Sequence, residues 1–241
     1  MLYAVAAGLV GVAVTMVSRL TVARQRSVRR AAQRLPAGPI IVISNHTSYA
    51  DGLLLALACR RLGRSLRLLA TGGIFRAPLI GRMATRLGFI PVQRGSSTAA
   101  HSLDAALEAL GAGEAVGLYP EGRITRDPAM WPERAKTGAV RLALRSGAPI
   151  VPIAMVGAHR VVSRRKIFTN LLKNLVLRPK VLVEVGAPID VRALVGDRDD
   201  TSAAVIREVA DAVMSELVAM VAQLRQEVPE HPAGAVIDAA E

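Results

Sequence analysis

Short apolar runs alternate with longer amphipathic stretches along most of this chain, and the alternation predicts its elements. Residues 40–43, Ile-Ile-Val-Ile, form a β-rich run between Pro36-Ala-Gly-Pro39 and Ser44-Asn45-His46, and read as a buried strand. Residues 66–70, 89–92, 115–119, 150–155 and 181–185 read as five further strands. Between them, residues 53–62, 79–87, 98–111 and 135–146 carry helical periodicity, and 201–227 is a long amphipathic helix behind the cap region Asp199-Asp200-Thr201-Ser202. Strands alternating with helices at this spacing predict an α/β fold: a mostly parallel central sheet flanked by helices.

The first 35 residues break this pattern. Residues 2–17 are an uninterrupted apolar or small-residue run, followed by Arg19, Arg24, Arg26, Arg29, Arg30 and Arg34. A spanning helix needs about 20 apolar residues, with a lower limit near 17, so the run is marginal. A secretory signal would place charge before the apolar region, and the order here is the reverse. Arginines after the run put the remaining chain in the cytoplasm by the positive-inside rule. Three readings stay open: a short span, an interfacial helix on the inner leaflet, or a buried helix of a soluble fold. The first two predict an N-terminal membrane-associated helix and a location on the cytoplasmic face of the cell membrane. The chain then divides into an anchor and basic arm (1–35), an α/β domain (36–195), and a C-terminal amphipathic helix and tail (196–241).

Charge sharpens the division. The net charge is +12, and residues 1–103 supply the excess, with fourteen arginines and one acid, Asp51. Such a surface suits nucleic acid, anionic lipid or an anionic substrate. Nucleic acid is the weakest of these, because the chain has only three Tyr, three Phe and one Trp on which bases could stack. A second basic stretch, 160–180, interleaves Arg160, Arg164, Arg165, Lys166, Lys173, Arg178 and Lys180 with apolar residues and carries no acid. It reads equally as an anionic-lipid contact or as a solvated loop with a buried edge. The single cysteine, Cys59, excludes an internal disulfide and sits in an apolar helical pattern, as a core residue does. The four histidines lack metal-ligand spacing, so no metal is expected.

The lone acid of the basic half stands five positions after a histidine, in Asn45-His46-Thr47-Ser48-Tyr49-Ala50-Asp51-Gly52. A carboxylate on one imidazole nitrogen fixes the tautomer and leaves the other free to take a proton. The alternative is that Asp51 caps the helix that follows. His46 ends a strand, where open α/β sheets place ligand sites. Two later strands end at Arg94 and at Glu121-Gly122-Arg123. Ser48 reads as a turn residue, and no Gly-x-Ser-x-Gly nucleophile motif occurs.

Taken in order, these blocks resemble the glycerolipid acyltransferase family, which includes the lysophosphatidate acyltransferases. Asn45, His46 and Asp51 match its Asn-His-x4-Asp block. Phe89-Ile-Pro-Val-Gln-Arg94 matches its strand-then-arginine block, and Tyr119-Pro-Glu121-Gly122-Arg123-Ile-Thr125 its Phe-Pro-Glu-Gly-Thr-Arg block. Ile150-Val-Pro152-Ile matches its proline-containing strand, and Lys136-x-Gly138 resembles the pattern before it. Two positions depart: the third-block arginine is shifted by one, leaving Arg123 or Arg126 to serve, and Thr71 stands where the family often has a lysine. The resemblance implies transfer of a fatty acyl group from acyl-CoA or acyl carrier protein, without a bound cofactor, to a lysophospholipid hydroxyl. The first choice of acceptor is 1-acyl-sn-glycerol-3-phosphate, giving phosphatidic acid. It further implies His46 as general base oriented by Asp51, substrate binding by Asn45, Arg94, Glu121, Gly122 and Arg123, and anionic membrane lipids as partners. The alternatives are a non-phosphate lipid acceptor, which Thr71 keeps open, and a membrane-binding protein without catalysis.

Overall fold

The structure is a computed structural model that describes residues 8, 11–12, 15–23, 34–92, 98–162 and 167–226. Arg94, the arginines between 24 and 30, residues 163–166 and the tail from 227 lie outside the described residues.

Seven strands form one sheet in the order β1-β7-β6-β2-β5-β3-β4. They are β1 (Arg19–Ala23), β2 (Ile40–Ser44), β3 (Leu66–Thr71), β4 (Ile90–Val92), β5 (Ala115–Leu118), β6 (Ile150–Val156) and β7 (Lys180–Val185). Strands β6, β2, β5, β3 and β4 run parallel, as the alternation of strands and helices predicts. β7 pairs antiparallel with β6, and β1 pairs parallel with β7.

The central strand shows why the apolar runs are continuous rather than alternating. Ile40 and Val42 face one core, with helix α1 (Asp51–Arg61) over it. Ile41 and Ile43 face the other core, covered by α5 (Gly138–Ser146) and α9 (Ala203–Gln226). A parallel sheet covered on both faces needs apolar side chains in both directions. The long helix α9 supplies Ile206, Val209, Ala210, Val213, Leu217, Met220, Val221 and Leu224, a stripe at three- and four-residue spacing.

The remaining helices are α2 (Gly72–Arg76), α3 (Pro78–Arg86), α4 (Thr98–Gly111), α6 (Ala158–Val161), α7 (Ile167–Leu177) and α8 (Val191–Val195). The sequence pattern does not predict α2, α6, α7 or α8, and two further elements differ from it. Arg19–Ala23, read as part of the basic arm, is an edge strand in register with β7 from Arg19↔Lys180 to Ala23↔Glu184. Its pairing partner lies some 160 positions away, beyond the reach of a local pattern. The helix predicted from 135 begins at Gly138, because the Lys136 N–H is taken by the Pro120 carbonyl at 2.8 Å. Of the N-terminal run, Gly8, Gly11, Val12 and residues 15–17 are described and helical. No helix among the described residues is long and apolar enough to cross a membrane.

Candidate functional site

β2 ends at Ser44, and the chain turns over residues 45–50 before α1 begins at Asp51. Ala50 holds the N-cap position, without a side-chain cap bond. The Asp51 carboxylate points back into the turn instead of along the helix. Its Oδ2 accepts the N–H groups of Thr47 at 2.6 Å and Ser48 at 2.8 Å, and lies 2.9 Å from His46 Nδ1. Oδ2 already accepts two N–H groups, so the contact assigns the hydrogen to Nδ1 and leaves Nε2 as the basic nitrogen of the ring. Asp51 is 1% exposed, while the His46 side chain is 19% exposed. The first turn of a helix also favours a negative charge.

β5 is the neighbour of β2, and the segment after it closes around His46. The Tyr119 ring stacks on the imidazole, with centroids 4.0 Å apart and planes 15° apart. Burial, aided by the Asp51 charge, pushes the Tyr119 phenol well above its ordinary pKa, so it stays neutral. Glu121 is buried; its Oε1 accepts the His46 N–H at 3.1 Å and its Oε2 the Glu133 N–H at 2.9 Å. Burial raises the Glu121 pKa, and these two amides only partly offset it. The Thr125 N–H donates to the His46 carbonyl at 2.7 Å. Both backbone groups of His46 are therefore held by the segment that follows β5.

Arg123 is exposed and ion-paired with Glu133, through Nη2 at 2.9 Å and Nε at 3.2 Å. Glu121 thus braces main-chain amides, and Glu133 takes the arginine. At Gly122 the backbone has φ +71°, and an added Cβ would lie 3.0 Å from Lys136 Cε. Glycine serves here on both counts. The Lys136 side chain lies across the Glu121–Arg123 turn, a position that the spacing from 122 to 136 does not reveal.

Asn45 is buried, and both ends of its amide are used: Nδ2 donates to the Met155 carbonyl and Oδ1 accepts the Met155 N–H, each at 2.8 Å. The residue clamps the end of β2 to β6. Ser48 is a turn residue, donating to the Val162 carbonyl at 2.7 Å and accepting the Ala50 N–H at 3.1 Å. Cys59 is buried, and burial pushes its thiol up to about 12. Thr71 ends β3 and is exposed. The strand that leads to Arg94, β4, is at the sheet edge, separated from β2 by β5 and β3.

The fold and site together define an α/β protein with a histidine–carboxylate pair at the strand ends of a largely parallel sheet. The sequence model of the family Acyltransferase matches residues 19–156, more than half of the chain, and the chain belongs to that family. It is 30% identical over 132 residues to the chloroplastic 1-acyl-sn-glycerol-3-phosphate acyltransferase BAT2 of Brassica napus, covering 54% of this chain and 37% of that protein. It is 25% identical over 172 residues to the 1-acyl-sn-glycerol-3-phosphate acyltransferase of Borreliella burgdorferi, covering 70% of this chain and 63% of that one. The match thus spans little more than a third of the plant relative. The crystal structure of the 1-acyl-sn-glycerophosphate (LPA) acyltransferase PlsC from Thermotoga maritima shares the fold. Its TM-score is 0.65 at 19% identity, over 92% of this chain and 79% of that one.

Proposed function

We propose that this protein transfers a fatty acyl group from a thioester to the hydroxyl of a lysophospholipid, with 1-acyl-sn-glycerol-3-phosphate as the first choice of acceptor. The observation that carries the reading is His46 Nδ1 at 2.9 Å from the buried Asp51 carboxylate, at the C-terminal end of the central strand. The names of the relatives support the acceptor. Nε2 takes the hydroxyl proton as the oxygen attacks the thioester carbonyl. The new ester bond forms, the C–S bond breaks, and the proton passes from the imidazolium to the leaving thiolate. Asp51 stabilises the imidazolium between these steps, and general-base catalysis of this kind contributes about 10²–10⁴-fold. The thioester is already activated, so no acyl-enzyme is required, and the buried, protonated Cys59 is a poor nucleophile. The Arg123 guanidinium, exchanging Glu133 for a phosphate, and Arg94 hold the acceptor's anionic group.

The membrane side of the proposal rests on two helical segments. Val12 and Met16 of the first and Leu172, Leu175, Val176 and Leu177 of α7 are exposed. Arg178 Nη2 donates to the Thr15 carbonyl at 2.6 Å and joins the two segments. Exposed apolar residues beside Lys173, Arg178 and Lys180 suit an anionic interface. Co-sedimentation with phosphatidylglycerol vesicles, abolished by Leu172→Glu with Val176→Glu, is the expected result; unchanged binding would remove α7 from the interface.

The decisive assay is transfer from radiolabelled palmitoyl-CoA and palmitoyl-acyl carrier protein to lysophosphatidate, with a panel of other lysolipids alongside. Conversion that disappears in His46→Ala is expected. Thr71, in place of a cation, favours a second reading with a non-phosphate acceptor. Turnover restricted to neutral or amino lipids would select it, and silence across the panel would sink both.

A further inference from the structure

A cavity of about 880 Å³ opens beside the turn that carries His46, between the end of β6 and the loop that follows β5. Asn45 and Thr47, the two chain neighbours of His46, form part of its wall, together with the end of β6 from Met155 to Gly157. The loop 128–131 and the last turn of α9 complete it. Cavities that hold small organic ligands run from about 300 to 1,000 Å³. The wall combines apolar Met130, Trp131, Met155 and Val221 with the cations Arg160 and Arg225, and no carboxylate lines it among the described residues. Arg225 is fixed in place: its Nη2 donates to the Ala129 carbonyl at 2.6 Å, and its Cζ sits 4.1 Å from the Trp131 ring centroid. Arg160 is exposed on α6.

We propose that this cavity holds the 4′-phosphopantetheine arm of the acyl donor, the part common to coenzyme A and acyl carrier protein. The inference rests on the acyl-transfer reading and adds the place of the second substrate. Two substrates must reach one imidazole. The cavity wall takes in the end of β6, whereas Glu121, Gly122 and Arg123, assigned to the acceptor, are not part of it. The arm's chemistry matches the wall. Its phosphate needs a cation, which Arg160 provides. Its methyl-bearing carbons suit the apolar residues. An acyl chain alone would have no use for the cations. With the arm seated, the sulfur that leaves the thioester carbonyl stays in this cavity, while the acceptor oxygen arrives from the Glu121–Arg123 turn.

Trp131 is the only tryptophan of the chain, so the tryptophan emission of the intact protein reports this cavity directly. The experiment is a titration of the full chain, followed at Trp131, with coenzyme A, a tryptophan-free holo-acyl carrier protein, adenosine 3′,5′-bisphosphate, and lysophosphatidate below its micellar concentration. Saturable changes with coenzyme A, the carrier protein or both are expected, and the responder identifies the donor. In Arg160→Ala the dissociation constant should rise about tenfold, the loss of one charge-assisted contact. KM for that donor should rise in step, while KM for the acceptor stays put. A response to lysophosphatidate alone, an equal response to the bisphosphate that lacks the arm, or no response at all would overturn the assignment. The titration needs no turnover. Donor binding without transfer to any acceptor would keep the cavity and sink the acyl-transfer reading, whereas transfer with a silent Trp131 would do the reverse.

Discussion

The turn from Asn45 to Asp51 and the loop from Gly122 to Glu133 both border His46, and they are built in opposite ways. In the turn, Asn45, Thr47, Ser48 and Asp51 are all buried. One carboxylate oxygen gathers two amides and the imidazole. In the loop, Arg123 is exposed, Glu133 is half-buried, and the two hold each other. Glu121, at the root of the loop, is the joint between them, with one oxygen on the His46 amide and the other on the Glu133 amide. A proton-transfer group gains from a fixed position and low local dielectric, because its partners then need no rearrangement as charge develops. An anion-binding cation gains from exposure, because an exposed ion pair contributes little and is readily exchanged for another anion. On the proposed function the contrast divides the labour: fixed chemistry under β2 and an exchangeable binding surface beyond β5.

The sharpest way to break the comparison is to remove the fixed side. His46→Ala should lower kcat by about 10²–10⁴-fold, the range of a general base. Circular dichroism should stay near the wild-type spectrum, since the main-chain bonds of residue 46 to Glu121 and Thr125 do not use the ring, while Tm should fall with the loss of the Tyr119 stack and of the Asp51 partner. Asp51→Asn is the next largest. Its oxygen can still accept the Thr47 and Ser48 amides, with the amide nitrogen in the position of Oδ1, so the turn survives while the charge facing the imidazolium is lost. A fall in kcat on the order of 10²-fold is expected, with kcat/KM falling in parallel and KM for the acceptor unchanged. A variant with full kcat would make the carboxylate a turn brace and nothing more.

This division also explains what could be read from the chain alone. The His46–Asp51 contact spans five positions, and the apolar runs that became β2, β5 and β6 are buried on both faces, so local pattern carried them. Asp51 as a helix cap was the natural competing reading, because an acid followed by Gly52 and a leucine run looks the same in sequence whichever way its carboxylate turns. The contacts that fix the site are long-range. Asn45 meets Met155 across 110 positions, and the His46 amide meets Glu121 across 75. The strand at Arg19–Ala23 depends on a partner near the other end of the chain. Arg-Leu-Thr-Val-Ala carries too short an alternation, wedged between an apolar run and a row of arginines, to announce itself. Arg123 was legible as a residue type, but its pairing with Glu133 was not, since nothing in the sequence sets the path of the loop.

The joint between the two regions predicts a pH signature. Burial raises the native pKa of Glu121 above its ordinary 4.5, so the folded protein binds this proton more tightly than the unfolded chain. Between 4.5 and the raised native value the native state holds more protons, and stability therefore falls as pH rises, then levels off. Glu121→Gln cannot titrate, and this component should vanish from a plot of Tm against pH from about 4 to 7. The same variant offers one acceptor to two amides, and a buried amide left facing another donor costs about 1–3 kcal/mol. Its kcat should fall less than in the dyad variants, because the imidazole and its carboxylate remain. An unchanged slope of Tm with pH would mean that Glu121 is ionised in the folded protein at no cost.

Arg123→Ala should have the smallest effect, and it tests the exposed side. Both members of the Arg123–Glu133 pair are solvated, so Tm should not move. If Arg123 exchanges Glu133 for the acceptor's phosphate, KM for lysophosphatidate rises in Arg123→Ala while kcat at saturation is retained. Glu133→Gln, which frees the guanidinium from its competitor, should lower KM for the same acceptor. The two variants must move KM in opposite directions. A rise in both would show that the ion pair shapes the loop rather than waiting for an anion, and the line drawn between fixed and exchangeable regions would then have to be moved outward past Glu133.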